Sequence, residues 1–166
     1  MPRLGSNLAE FKLLNTVSGN DFSSSELDKA KPSLIMFICN HCPYVIHYHD
    51  EIKRLANDFD NTINMVAISS NDIEEYPQDG PDKMRELWVQ LGLSFPYLFD
   101  STQDVAKQYK AECTPEFYLF DSSQKLVYRG RLDESSPNSG LEPTGEDLRN
   151  AVENVLNNKD VNADQF

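Results

Sequence analysis

The stretch Leu34-Ile35-Met36-Phe37-Ile38-Cys39-Asn40-His41-Cys42-Pro43-Tyr44-Val45 decides how the rest of the chain is read. Leu34 to Ile38 form an unbroken apolar run, the pattern of a central strand covered on both faces. Asn40-His41 break the run, and Pro43 suits the first turn of a helix, where a missing N–H removes no bond. Beyond it Val45, Tyr48, Ile52, Leu55, Ala56 and Phe59 recur at three- and four-residue steps, with Asp50, Glu51, Lys53 and Asp58 on the other side. The spacing predicts one long helix whose opening residue is Cys42.

Working outward, Met65-Val66-Ala67-Ile68 repeats the apolar run, and strand, helix, strand in that order implies a right-handed parallel crossover. Gly80-Pro81 opens a second helix with Met84, Leu87, Trp88 and Leu91 inward, Trp88 being read as core. Tyr97-Leu98-Phe99 is a short strand and Ser101 to Tyr109 a short helix. Phe117 to Phe120 and Leu126 to Arg131 form a hairpin around Asp121-Ser122-Ser123-Gln124. In the last helix Thr144 and Asp147 stand in capping-box spacing ahead of the stripe Leu148, Val152, Val155 and Leu156. Ahead of these elements, Phe11 to Leu14 and Asp21-Phe22 flank the turn-forming Ser18-Gly19-Asn20, a small hairpin. No repeat or linker interrupts the chain. It reads as a single domain over 1–166, with 1–30 a hairpin extension and 160–166 a tail.

A chain of 166 residues buries roughly two-thirds of its unfolded surface and needs no disulfide or metal to hold a core. Fifteen basic against twenty-seven acidic residues give a formal charge of −12, which repels phosphate backbones and anionic membrane surfaces. Neither a nucleic acid nor a membrane is expected as partner. Met1 to Glu10 has no apolar run resembling a signal peptide, so the expected location is cytoplasmic. Thiols are kept reduced there, so the three cysteines are expected to be buried, metal-binding or catalytic, not a structural framework.

The element order is that of the thioredoxin-like fold: an α/β domain with a central mixed β-sheet flanked by helices, here with a small N-terminal hairpin. The segment Cys39-Asn40-His41-Cys42-Pro43 looks at first like a Cys-x-x-Cys redox motif. Aligned without a gap, however, Cys42 takes the place of the first cysteine of such motifs, Cys39 falls at the strand end and Val45 replaces the second cysteine. This pattern closely resembles the peroxiredoxin-like (AhpC/TSA-related) family of the thioredoxin superfamily, over nearly the whole chain. Members of that family carry Cys-Asn-His-Cys-Pro at this point. The resemblance implies that Pro115 is the cis-proline beside the reactive cysteine. It also implies that Thr114 offers backbone groups to an extended substrate, and places Cys113 in the loop next to Cys42. His41 and Pro43 are the further substrate contacts expected.

Apart from any family, unpaired N–H groups and the helix dipole at a helix start favour thiolate over thiol. Cys42 is therefore expected to be the nucleophile, where the bland reading is an inert buried thiol. His41 can add positive charge, whereas His47 and His49 are read as a solvated helix face. Ser69, Ser70, Asn71 and Asp72, at the carboxyl edge of a strand, either line the site or form a helix-entry turn. Peroxiredoxins proper have Pro and Thr where Ile35 and Cys39 stand here, so fast peroxidase chemistry is not expected, although Arg129 and Arg131 are available on the hairpin. The reading is a thiol-dependent, antioxidant oxidoreductase without cofactor. In it Cys42 attacks a disulfide or peroxide, Cys113 (favoured) or Cys39 resolves the product, and thioredoxin or a small thiol is the reductant. Two alternatives stand beside it. Cys39 can be merely a small buried hydrophobe, and Cys39, His41, Cys42 and Cys113, with His47 near, can form a Cu(I) or Zn(II) site of a chaperone or sensor.

Overall fold

The computed structural model describes residues 2–161, so the tail is described only at 160 and 161. Its strands are β1 (Lys12–Asn15), β2 (Asp21–Ser23), β3 (Ser33–Phe37), β4 (Asn64–Ser69), β5 (Tyr97–Phe99), β6 (Glu116–Phe120) and β7 (Leu126–Gly130). They form one sheet in the order β2-β1-β5-β4-β3-β6-β7. β3, β4 and β5 run parallel, while β6 pairs antiparallel with β3, as does β1 with β5. The predicted mixed sheet is thus present. The N-terminal hairpin, expected ahead of the main fold, extends that sheet at one edge.

The two-residue period of the strands sorts the core into two layers. Leu34, Met36 and Ile38 face α2 (His49–Phe59), α3 (Pro81–Leu91) and α5 (Glu146–Leu156), against Ile52, Leu55, Met84, Trp88 and Val152. Ile35 and Phe37 face the other way, toward Leu8, Phe11, Val105 and Tyr109 on the N-terminal segment and α4 (Asp104–Gln108). Every residue of β3 is buried, which explains its unbroken apolar run. Trp88 is core as expected, stacking on Tyr97 with ring centroids 3.9 Å apart and donating its indole N–H to the Phe95 carbonyl.

The N-terminal segment touches both edges of the sheet. Gly5 N–H donates to the Leu126 carbonyl at 2.7 Å, Leu126 N–H to Ser6 at 2.8 Å and Leu8 N–H to Gln124 at 2.9 Å. The chain then crosses the α4 face and forms the hairpin at the opposite edge.

Two expectations about helices are corrected. The predicted long helix is divided into α1 (Pro43–His47) and α2 at Tyr48, where φ and ψ flatten to −95° and −1°. There the Tyr48 N–H bonds the Val45 carbonyl three residues back, and its buried phenol donates to the Ser135 carbonyl at 2.7 Å. A stripe of apolar spacings reads the same across such a tightened turn. The expected Thr144/Asp147 capping box also does not form. Gly145 is the residue before α5, Asp147 accepts from Arg131 Nε at 2.7 Å, and Asp133 accepts from the Thr144 and Gly145 N–H groups, each at 2.8 Å. Gly145 has φ +67°, and a Cβ there would run into the Glu51 carboxylate. That carboxylate, buried, holds Arg149 from α5 and Arg54 from its own helix.

Asp133 organises the loop before α5, and its titration is linked to stability. Burial works to raise its pKa, but the bonds from the Ser135 hydroxyl and from the Gly145, Ser135 and Thr144 N–H groups outweigh it, so the carboxyl is held below its ordinary value. A depressed folded-state value means the stabilisation is complete above about pH 3.9 and is lost as pH falls through the lower folded-state value. Urea unfolding followed from pH 6 down to pH 2 should therefore show a shallower acid loss in Asp133→Asn than in the parent. Identical acid limbs would show that Asp133 makes no such contribution.

Candidate active site

β3 ends at Phe37, and the chain must turn from the sheet interior into α1 through Ile38 to Cys42. Turning so sharply leaves backbone N–H groups inside the protein, where an unpaired donor costs about 1–3 kcal/mol. Asp79 supplies the acceptor. It lies in a 3₁₀ turn, Pro77–Asp79, just ahead of α3, and is fully buried. One carboxylate oxygen accepts from Asn40 N–H at 2.7 Å and His41 N–H at 3.0 Å. The other accepts from Asn71 Nδ2 at 2.9 Å and contacts His41 Nδ1. The His41 ring also stacks on Tyr76 at 4.2 Å, 9° from parallel, and Asn40 bridges the Gln78 carbonyl and the Tyr97 hydroxyl. His41 is thus a pinned member of the loop.

Cys42 stands immediately before α1, with Pro43 as the first helical residue. Its side chain makes no capping bond and instead points its thiol at the Thr114 carbonyl, 3.6 Å away. Cys39 is buried at the end of β3, with its sulfur 3.6 Å from the Thr114 hydroxyl. Both sulfurs therefore rest on the same residue. The Thr114–Pro115 peptide is cis. Cys113, although next in the chain and exposed, donates its thiol to Glu116 Oε1 at 3.4 Å. Glu116 is itself buried and also receives the Tyr118 hydroxyl at 2.6 Å. Sequence proximity to Thr114 thus does not aim the Cys113 sulfur at Cys42.

The thiols differ electrostatically as well. Burial pushes the Cys39 thiol up, the Thr114 hydroxyl offsets part of this, and the Asp79 charge adds to the rise. Desolvation first, then the bond to Glu116 and its charge, push the Cys113 thiol up to about 11.

The remaining candidates are dispersed. His47 and His49 are half-buried, not a freely solvated face: His47 Nε2 meets the Ser135 hydroxyl at 2.9 Å, and His49 has its Nε2 buried and its pKa lowered by desolvation. Arg131 is committed to Asp147, and Arg129 lies opposite Tyr118 in the β6–β7 register. Ser70 donates to Asp100 at 2.7 Å, and Ser70 and Asn71 line a cavity of about 350 Å³ on the α4 side, with Phe37, Cys113 and Thr114. Among the described residues, the donor atoms of Cys39, His41 and Asp79 lie within 4.8 Å of one another. The set suits a borderline divalent metal in type. Both Asp79 oxygens, however, are already engaged twice each, which fills a carboxylate's acceptor sites.

Asp79, Tyr76 and Glu116 were not legible as site residues. Asp79 lies between Pro77 and Pro81 and reads as a surface helix-entry turn; the backbone N–H groups it accepts from are 38 and 39 positions away. Glu116 reads as a polar edge to an apolar strand.

A mixed sheet, a cysteine at a helix start on its carboxyl edge and a cis-proline loop against that cysteine define a thioredoxin-like protein. The chain belongs to the Redoxin family, which it matches over residues 3–144. It is similar to an uncharacterized conserved protein of Geobacillus kaustophilus, at 46% identity and TM-score 0.96, over 99% of this chain and 88% of that one. A hypothetical protein of Sinorhizobium meliloti 1021 is 38% identical with TM-score 0.96, over 100% and 91% of the two chains. The fold is shared with a secreted disulfide oxidoreductase of Mycobacterium tuberculosis, at 16% identity and TM-score 0.68, over 86% and 94%. No curated protein matches the chain. Family and fold support a thioredoxin-like redox role in general terms.

The environments of two thiols set their reactivity. At pH 8 only about one Cys113 in a thousand is thiolate, given its value of about 11. Peptide mapping after brief iodoacetamide treatment of the native protein at pH 8 should leave Cys113 and Cys39 largely unmodified. Raising the pH toward 11 should speed modification of Cys113 alone, and Cys39 should react only after unfolding. Rapid labelling of Cys39 in the folded protein would contradict its burial.

Proposed function

We propose that the protein is a thiol oxidoreductase that uses Cys42 to attack disulfides, and more slowly peroxides, with Cys39 as the resolving thiol. The observation that carries this is the shared contact of both sulfurs with Thr114, while Cys113 is turned to Glu116. Cys42 is half-buried and reachable, and the N–H groups of the first turn of α1 have no intrahelical acceptor. A sulfur that has lost its proton can exchange its bond to the Thr114 carbonyl for these donors. Pro43 and the half-exposed side chains of Tyr44 and Ile46 form an apolar collar that suits the flank of a disulfide carried on a polypeptide.

With a disulfide, the Cys42 thiolate displaces one sulfur as thiolate and forms a mixed disulfide. Cys39 then attacks Cys42, releasing the second sulfur and leaving a Cys39–Cys42 disulfide. With a peroxide, Cys42 takes one oxygen, the alcohol or water departs, and the sulfenic acid condenses with Cys39 to give the same disulfide and water. Thioredoxin or a small thiol restores both thiols. The cycle suits a reducing compartment such as the cytoplasm and an antioxidant role. Peroxide attack is the slow branch because the positions that would hold peroxide oxygens carry Ile35, buried in β3, and Cys39. Preorganised donors at such positions are worth powers of ten in rate.

For the redox reading, Cys39→Ser mixed with a small aromatic disulfide should accumulate a mixed disulfide on Cys42. Cys42→Ser should lose turnover by at least about 100-fold, as expected for removal of a nucleophile. Stopped-flow oxidation by hydrogen peroxide should be slow. If mapping of the oxidised parent finds Cys42 bridged to Cys113 instead, Cys39 is not the resolver.

A further inference from the structure

Resolution by Cys39 raises a problem that the site itself answers. Cys39 is 1% exposed and its thiol is pushed up by burial and by the Asp79 charge, so at neutral pH it is protonated. A thiol does not attack; a thiolate does. Only 1% of the residue is exposed, so loss of the proton to bulk water is slow at neutral pH, and an internal base is needed there.

The groups facing Cys39 are few. The Thr114 hydroxyl touches it but is not a base at neutral pH. The Cys42 N–H is a donor, and the Cys42 sulfur is the atom under attack. The Tyr97 phenol lies near enough to feel both Cys39 and Asp79, but burial raises its pKa well above the ordinary value, so it stays neutral and cannot accept a proton. The His41 imidazole and Asp79 carboxylate remain, each with a donor atom within 4.8 Å of the Cys39 sulfur.

Resting on the redox reading above, we infer that the His41–Asp79 pair is the base that takes the proton of Cys39 during resolution and returns it to the leaving group. The pair has the architecture of such a base. A ring whose nitrogen contacts a buried carboxylate is held in one orientation. The Tyr76 ring fixes its plane, and two backbone bonds to Asp79 prevent the carboxylate from turning away. Asp79 acts on the sulfur's partner as a positioning residue as well as sharing the charge. The proton moves from Cys39 Sγ to the pair, the new thiolate forms the S–S bond to Cys42, and the S–O bond of the sulfenic acid breaks. The departing hydroxide takes the proton back from the pair and leaves as water. In a mixed disulfide the S–S bond to the substrate breaks instead, and the departing thiolate leaves as thiol.

The test separates the two half-steps in single turnover. Cys42 is first oxidised with one equivalent of hydrogen peroxide, and closure to the Cys39–Cys42 disulfide is followed by intact mass and free-thiol count, from pH 6 to pH 9. His41→Gln, which keeps a planar hydrogen-bonding side chain, should slow closure, timed separately from the first step, by roughly 100-fold near pH 7, the usual worth of a general base. The deficit should shrink as pH rises, because Cys39 then ionises unaided, and Asp79→Asn should behave alike if it folds. A merely displaced loop would slow closure equally at every pH. Closure at the parental rate, or a deficit that does not change with pH, overturns the relay and leaves the redox reading standing. If the parent never forms the Cys39–Cys42 disulfide, the failure lies in that reading, and the relay falls with it.

Discussion

A central strand that ends inside the protein and turns at once into a helix creates backbone donors that water cannot satisfy, and everything at this site follows from how they are satisfied. Asp79 gathers the Asn40 and His41 amides, the Asn71 side chain and the His41 ring on one buried carboxylate. That arrangement fixes where Cys39 ends and where Cys42 begins α1. It also ties the loop to the entrance of α3, so that two distant helix starts are positioned by a single side chain. A neutral residue there would leave charge-assisted bonds unmade, each worth about 1.5–3 kcal/mol.

Three cysteines on one fold occupy three different chemical situations. Cys42 is accessible and rests on a carbonyl, Cys39 is enclosed between Thr114 and an acid, and Cys113 is exposed yet tied to Glu116. Exposure alone would rank Cys113 first. Its value of about 11 reverses the ranking, because desolvation, and after it the bond to the nearby Glu116 carboxylate and that group's charge, favour the protonated form. The same acid that holds the Cys113 loop, through the Glu112 and Cys113 amides, also quiets its thiol.

The sheet and the place of Cys42 were legible because they depend on short-range pattern. Apolar runs at Leu34 to Ile38 and Met65 to Ile68 can only be covered strands, and Pro43 announces a helix start. What was not legible depends on contacts between remote segments. Nothing near Thr144 and Asp147 shows that Asp133 and Arg131 will claim the capping role and its partner. The break at Tyr48 is set by Ser135, 87 positions away. The expectation that Cys113 would face Cys42 treated neighbours in sequence as neighbours in orientation, and the buried Glu116 overrides that.

The path of the first residues has a consequence for how the molecule is made. Residues 5 to 8 hydrogen-bond to Gln124 and Leu126, and Leu8 and Phe11 are covered only with the help of strands as late as β6 and β7. During synthesis these side chains leave the ribosome with nothing to pack on until most of the chain has followed. Such non-local pairing is slow to form because the long loop must close before any contact rewards it. This segment, ahead of β1, is thus among the last parts of the domain to settle. Until it does, both edges of the sheet stay open to pairing with another strand, the state in which a growing chain is most prone to aggregate.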